Sequence, residues 1–170
     1  MTVPCFVDAN VLVYAHNPAE AMKCSVARDL LQDLWADLSG RTSIQALNEF
    51  YAVITRKLSA RMSPDDAWAE IEEFFRWNPR QIDVEVLRQA RQIEARYKLN
   101  WWDSLIVAAA QLQGCSLLYT EDLQHGATFD GVRVVNPFIS QIQEEPAPYR
   151  VQPVSRHRPR GRPRKQAAAT

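Results

Sequence analysis

A chain of 170 residues, 46% of them hydrophobic, is long enough to bury one well-filled core and too short for two domains of ordinary size. The formal net charge is zero, no apolar stretch is long enough to span a bilayer and no basic-then-apolar leader opens the chain, so we expect a cytoplasmic protein without a membrane partner. Three widely spaced cysteines favour reduced, buried thiols over a disulfide framework; they are Cys5, Cys24 and Cys115.

Hydrophobic patterning predicts strands and helices in alternation. An apolar run ending at Asp8 predicts a buried first strand. Further strands are predicted at 116–120 and 132–135, and a short strand or strand end at 42–44. Helical spacing and capping residues predict helices at 11–16, 19–38, 47–58, 63–77, 84–97 and 104–113. This alternation predicts an α/β fold, a three-layer α/β/α sandwich with a central, mostly parallel sheet.

Four acids fall at the boundaries of predicted elements: Asp8, Glu49, Asp103 and Asp122. Right-handed crossovers bring the carboxyl ends of parallel strands to one edge of a sheet, so we expect these carboxylates to converge there. Like charges at close range favour a bound cation, and oxygen ligands without His or Cys favour Mg²⁺ or Mn²⁺ over zinc. Each acid also has a simpler explanation as a cap, a turn residue or a solvated flank, and periodicity does not choose between the two.

Four sequence motifs resemble those of the PIN domain, specifically of the VapC-type toxin nucleases. In that family's order, they are FVDANVLVYA at 6–15, SIQALNEF at 43–50, WDSLIVAAA at 102–110 and LYTEDL at 118–123. Any one of them is weak on its own, whereas four in the correct order are specific. The resemblance implies a PIN-like nuclease domain over residues 1–142.

The same resemblance implies roles for particular residues. The four acids, Asp8, Glu49, Asp103 and Asp122, would be catalytic and would hold one or two Mg²⁺ or Mn²⁺ ions. Asn10 and Thr120 match positions that support the site, and Glu121 is expected just outside it. The implied activity is that of a metal-dependent endoribonuclease that hydrolyses structured RNA such as tRNA or ribosomal RNA. The implied partners are a small cognate antitoxin protein and a second copy of the chain in a homodimer.

Residues 143–170 are predicted to form a disordered basic tail. Seven of the 20 basic residues lie from Arg150 onward, where there is no acid, which leaves 13 basic and 20 acidic residues before that point. The segment RPRGRPRK resembles an AT-hook, which lies in the minor groove of A·T-rich DNA; its candidate nucleic-acid contacts are Arg158, Arg160, Gly161, Arg162, Arg164 and Lys165. A generic basic tail that contacts only phosphates is the alternative.

Two further functions stay open at this point. The chain could be a DNA-binding regulator, in which the tail binds DNA and the PIN-like body is a platform for protein interactions. It could also be a nuclease directed to DNA by the tail. The presence of all four acids favours an enzyme, because a platform would not need them.

Overall fold

A five-stranded sheet between two layers of helices makes up the computed structural model, which describes residues 2–139. The strands are β1 (Cys5–Val7), β2 (Gly40–Arg41), β3 (Leu117–Tyr119), β4 (Thr128–Phe129) and β5 (Val132–Val135), in the spatial order β2-β1-β3-β5-β4. Neighbouring strands are parallel except for the antiparallel pair β4 and β5. The predicted three-layer α/β/α fold is therefore confirmed. The predicted tail and its nucleic-acid contacts lie outside the described residues.

The helices divide into two layers that cover opposite faces of the sheet. They are α1 (Ala9–Ala15), α2 (Ala21–Ala36), α3 (Ile44–Arg56), α4 (Pro64–Phe74), α5 (Val84–Tyr97) and α6 (Trp101–Leu112). Val7 of β1 packs among α1 to α4, whereas its neighbour Phe6 packs among α5 and α6. Successive side chains of a strand point to opposite faces, so three buried residues of β1 serve both cores. Strand β1 has a parallel neighbour on each side. Its carboxyl end therefore lies between the carboxyl ends of two other strands.

One prediction about β-structure is wrong, and one strand was missed. The short strand or strand end predicted at 42–44 lies two residues earlier, as β2, and Ile44 already begins α3. Ser43 has extended backbone and caps this helix, because its hydroxyl accepts a hydrogen bond from the Ala46 N–H at 3.2 Å. Strand β4 was not predicted at all, since two residues are too few for a periodic signal. It forms by pairing with β5 across a tight turn.

Helix α6 begins three residues before the predicted start. Asn100 caps it, with its side-chain oxygen accepting a hydrogen bond from the Asp103 N–H at 2.9 Å. Asp103 therefore lies in the first helical turn, as predicted. All three cysteines are buried and free, which also agrees with the prediction. Within residues 2–139, no helix combines the length and the apolar character that crossing a membrane requires.

Position 40 in β2 must be glycine because the buried ring of Trp77 lies directly against it. A Cβ atom built on Gly40 would overlap the six-membered ring of that indole. Trp77 itself lies in a short 3₁₀ turn (Phe75–Trp77) that follows α4 and packs against Trp35 and Phe74. The ring therefore cannot move aside without disturbing an aromatic cluster.

We expect Gly40→Ala to lower the free energy of unfolding by about 1–3 kcal/mol, the usual cost of overpacking a filled core. Urea unfolding measures the change. The control is the same substitution in a Trp77→Leu background, where the clashing ring is absent and the penalty should fall well below that in the wild-type background. Equal penalties in both backgrounds would show that the Trp77 ring does not cause the cost.

Candidate active site

Asp8 lies at the point where β1 passes into α1. It is the N-cap of that helix, and one carboxylate oxygen accepts the Ala9 N–H at 2.7 Å. The other oxygen accepts the hydroxyl of Thr120, at the end of β3, at 2.9 Å. The side chain is 8% exposed, so these bonds orient a buried carboxylate. Asp8 is thus both a helix cap and a carboxylate at the sheet edge where α/β folds bind ligands.

Asn10 joins the ends of β1 and β3. Its side-chain amide donates to the Thr120 hydroxyl and to one carboxylate oxygen of Asp122, each at 2.9 Å. The backbone N–H of Asp122 also donates to the Thr120 hydroxyl, at 3.2 Å. Thr120 is fully buried, so it forms a fixed centre between the two acids. The predicted supporting residues Asn10 and Thr120 therefore contact two of the predicted catalytic acids directly.

Gln45 makes the corresponding link between α3 and α6. Its side-chain amide donates to a carboxylate oxygen of Glu49 and to the backbone carbonyl of Trp102, each at 3.3 Å. Gln45 is 7% exposed, so the link is shielded from water. Asp103 follows Trp102 in the chain, and its carboxylate accepts a hydrogen bond from the side chain of Asn100. The positions of Glu49 and Asp103 are thereby coupled through one buried amide.

The four acids share one electrostatic environment. Burial, with a smaller contribution from the charges of Glu49 and Asp122, raises the pKa of Asp8 to about 7 against the opposing effect of its hydrogen bonds. Burial also raises the pKa of Asp103, with an added contribution from the charge of Asp122. Among residues 2–139, no ion pair includes any of the four acids. Their negative charge is therefore balanced by no protein cation in this part of the chain.

The donor set suits a hard divalent cation, because carboxylate oxygens are the ligands that Mg²⁺ and Mn²⁺ prefer. The positions are less compact than the sequence analysis expects. In the part of the chain that the structure describes, no three His, Cys, Asp or Glu side chains lie close enough to hold one metal ion together.

Glu121 differs from the four acids because its charge is paired. One carboxylate oxygen lies 2.6 Å from Nζ of Lys23, and the other accepts the hydroxyl of Tyr14 at 2.7 Å. The hydrogen bond to Glu121 and a second one to Tyr14 raise the pKa of Lys23 to about 12. Glu121 lines a cleft of about 340 Å³ together with Asn10, Glu49 and Asp122. It borders the acids and anchors the loop after β3 to α1 and α2.

Sequence reasoning missed three side chains that organise the site: Gln45, Lys23 and Tyr14. Gln45 lies one helical turn before Glu49, so the spacing alone could have indicated that the two side chains meet. No comparable signal existed for Lys23, which is 98 residues from Glu121 in the chain.

The PIN-domain family model matches residues 5–128, so this chain belongs to the PIN-domain family. Among solved structures, a toxin–antitoxin complex from Klebsiella pneumoniae is similar at 18% identity and a TM-score of 0.56, covering 78% of this chain and 97% of that chain. VapC20 of Mycobacterium tuberculosis, a toxin that cleaves the sarcin-ricin loop, is similar at 19% identity and a TM-score of 0.52, covering 69% and 89%. These two likenesses show a shared fold. Comparison with curated proteins gives no match.

The raised pKa of Asp8 predicts a stability that depends on pH. Folding raises this pKa from 3.8 to about 7, so the folded protein keeps a proton that the unfolded chain releases. The contribution of this retained proton to the free energy of unfolding is therefore complete below pH 3.8 and is lost as the pH rises to about 7. In EDTA, Asp8→Asn should exceed the wild type in free energy of unfolding at about pH 8, by on the order of a few kcal/mol, and the gap should narrow toward about pH 4.

Urea unfolding across this pH range measures the difference between the two proteins. The matched control is Asp33→Asn, which removes an exposed acid on α2 and should leave the pH dependence of the wild type in place. If Asp8→Asn followed the wild-type pH profile as closely as this control does, the buried charge of Asp8 would not be the cause.

Proposed function

We propose that this protein is a metal-dependent endoribonuclease and the toxin of a toxin–antitoxin pair. The observation that carries the proposal is a group of four acids within a PIN-domain fold whose charges influence one another. They come from the ends of β1 and β3 and from α3 and α6. No protein cation pairs with them in residues 2–139, and their oxygens suit Mg²⁺ or Mn²⁺. The residues that would hold the ion or ions are Asp8, Glu49, Asp103 and Asp122.

The protein's own part in this chemistry is to orient carboxylates without neutralising them. A bound divalent ion supplies positive charge at the scissile phosphate and lowers the pKa of a water molecule that it binds. Thr120 orients Asp8, Asn10 orients Asp122, and Gln45 sets Glu49 relative to the first turn of α6. Each of these donors is neutral, so none of them cancels the charge of an ionised carboxylate. The Lys23–Glu121 pair keeps the adjacent loop in place.

The substrate and partner in this proposal follow from the similar structures. VapC20 is described as cleaving the sarcin-ricin loop, a ribosomal RNA element, and the Klebsiella pneumoniae structure is a toxin–antitoxin complex. For the present chain we accordingly propose a structured RNA substrate, such as ribosomal RNA or tRNA, and a small cognate antitoxin as the partner. Homodimer formation stays a prediction from the family resemblance.

Loss of a single carboxylate should abolish RNA cleavage. Asp8→Asn and Asp103→Asn should each lower the cleavage rate with Mg²⁺ or Mn²⁺ by more than about 100-fold, since losing even a residue that supports a metal ligand costs roughly 10–100-fold. Incubation of purified protein with total RNA measures this, and sequencing of new RNA 5′ ends after brief induction identifies the cleaved site. Circular dichroism checks that the variants are folded.

Asp33→Asn, which neutralises an exposed acid away from the cleft, should cleave at the wild-type rate. Wild-type activity in Asp8→Asn or in Asp103→Asn would contradict the assignment. A parallel incubation with duplex DNA separates the alternatives: cleavage of DNA alone would indicate a DNA-directed nuclease, and cleavage of neither substrate would favour a binding platform.

Metal binding should also raise the thermal stability. An ion that binds the folded protein and not the unfolded chain stabilises the folded state by mass action, by about 2.7 kcal/mol at a concentration 100 times the Kd. Millimolar Mg²⁺ or Mn²⁺ should therefore raise the Tm by several degrees relative to the Tm in EDTA. Differential scanning fluorimetry measures the shift. Asp8→Asn should lose most of it and Asp33→Asn should keep it. An unchanged Tm in the wild type at saturating metal would count against a metal site at these acids.

A further inference from the structure

Two adjacent tryptophans at the start of α6 have different environments. Trp101 packs against the core beneath the helix, whereas Trp102 is 63% exposed. Trp102 immediately precedes Asp103, so a large aromatic surface lies open to solvent one residue from a proposed metal-binding acid. Exposed apolar residues are common on protein surfaces, so the position of Trp102 beside a proposed metal-binding acid, and not its exposure alone, makes it a candidate for a ligand contact.

The backbone that carries this indole is fixed. Its carbonyl accepts the hydrogen bond from Gln45, and the same amide group donates to Glu49. Asn100 caps the helix one residue before Trp101. Trp102 therefore lies on a fixed backbone in α6, the helix that also carries Asp103, and its carbonyl is linked to α3, the helix that carries Glu49. A fixed backbone lowers the entropy cost of an ordered contact.

The indole of Trp102 has no aromatic or cationic partner within residues 2–139. The other well-exposed tryptophan, Trp68, is different because it contacts the Phe75 ring edge-on, with centroids 6.1 Å apart. Trp68 also lies on α4 and lines an apolar groove with residues of α3. It is thus a matched comparison: an exposed tryptophan outside the acidic cleft.

The charge of the body favours a non-ionic contact with nucleic acid. Before Arg150 the chain has 20 acidic residues and 13 basic ones, so this part has a net negative charge and cannot rely on neutralising phosphates. Stacking of a base on an aromatic ring supplies affinity without positive charge, and it accepts any base because each has a flat face. Bases inside a duplex stack on one another and do not offer that face, whereas those in loops and single strands do.

We propose that Trp102 is a stacking platform for an unpaired base next to the scissile phosphate. The inference rests on the proposed nuclease function and extends it. Trp102 supplies affinity and selects unpaired nucleotides, while the carboxylates of the four acids perform the chemistry. A substrate that is paired throughout would present no base to the indole.

The test measures RNA binding in the full-length protein with Asp8→Asn as a non-cleaving background. The probe is a fluorescein-labelled, mixed-sequence RNA of about 12 nucleotides, used single-stranded or annealed to its complement. The buffer contains Mg²⁺ and about 0.3 M salt, which suppresses contacts between phosphates and the basic tail. Fluorescence anisotropy then gives the Kd of each protein. Adding Trp102→Ala should raise the single-strand Kd roughly 5- to 100-fold and leave the duplex Kd within about twofold.

Two further variants separate stacking from other causes. Trp102→Phe keeps a flat ring and should recover most of the lost affinity, whereas Trp68→Ala should bind single-stranded RNA as the background protein does. A Trp102→Ala protein that binds as tightly as the background protein would overturn the proposal. Equal losses of RNA affinity in Trp102→Ala and Trp68→Ala would also overturn it. A Trp102→Ala protein with unchanged RNA binding but a changed oligomeric mass by light scattering would assign Trp102 to a protein contact instead. Because the readout is binding without cleavage, failure of the nuclease assignment would be seen separately, in the wild-type cleavage assay.

Discussion

A buried carboxylate at the end of the first strand is the constraint on which this structure depends. Asp8 is almost completely shielded, yet its hydrogen bonds from Ala9 and Thr120 do not offset the cost of burial, and its pKa is raised accordingly. A group placed only to cap a helix would be more stable in contact with water. The fold therefore maintains an unfavourable charge at the edge of the sheet, which is characteristic of a functional site.

The neighbours of this charge hold the acids in place and leave them ionisable. Asn10, Thr120 and Gln45 contribute amide and hydroxyl donors, which fix the direction of a carboxylate without cancelling it. Lys23 contributes its positive charge to Glu121 instead, an acid outside the group of four. This division accounts for two kinds of acid at the same edge: Glu121, whose paired charge fixes a loop, and four unpaired acids, whose charge the proposed metal site requires.

The same unpaired charge limits how the protein can bind its proposed substrate. An acidic cleft in a net-negative body repels RNA, so contacts that do not depend on charge favour binding of the proposed substrate. An exposed indole on a fixed backbone, beside Asp103, can make such a contact. In the proposed function, Asp8 acts through its charge and Trp102 through stacking.

The sequence by itself determined the alternation of strands and helices and the helix start at Ser63, and it singled out the four acids as candidates. These features are encoded locally, by hydrophobic periodicity, capping residues and short motifs, so one stretch of chain suffices to predict them. Only the tertiary structure decided the strand order, the position of β2 and the pairing of β4 with β5. It also decided that Gln45 couples two helices and that Glu121 is neutralised by Lys23. Contacts between residues far apart in the chain depend on how whole elements pack, and no local pattern encodes that.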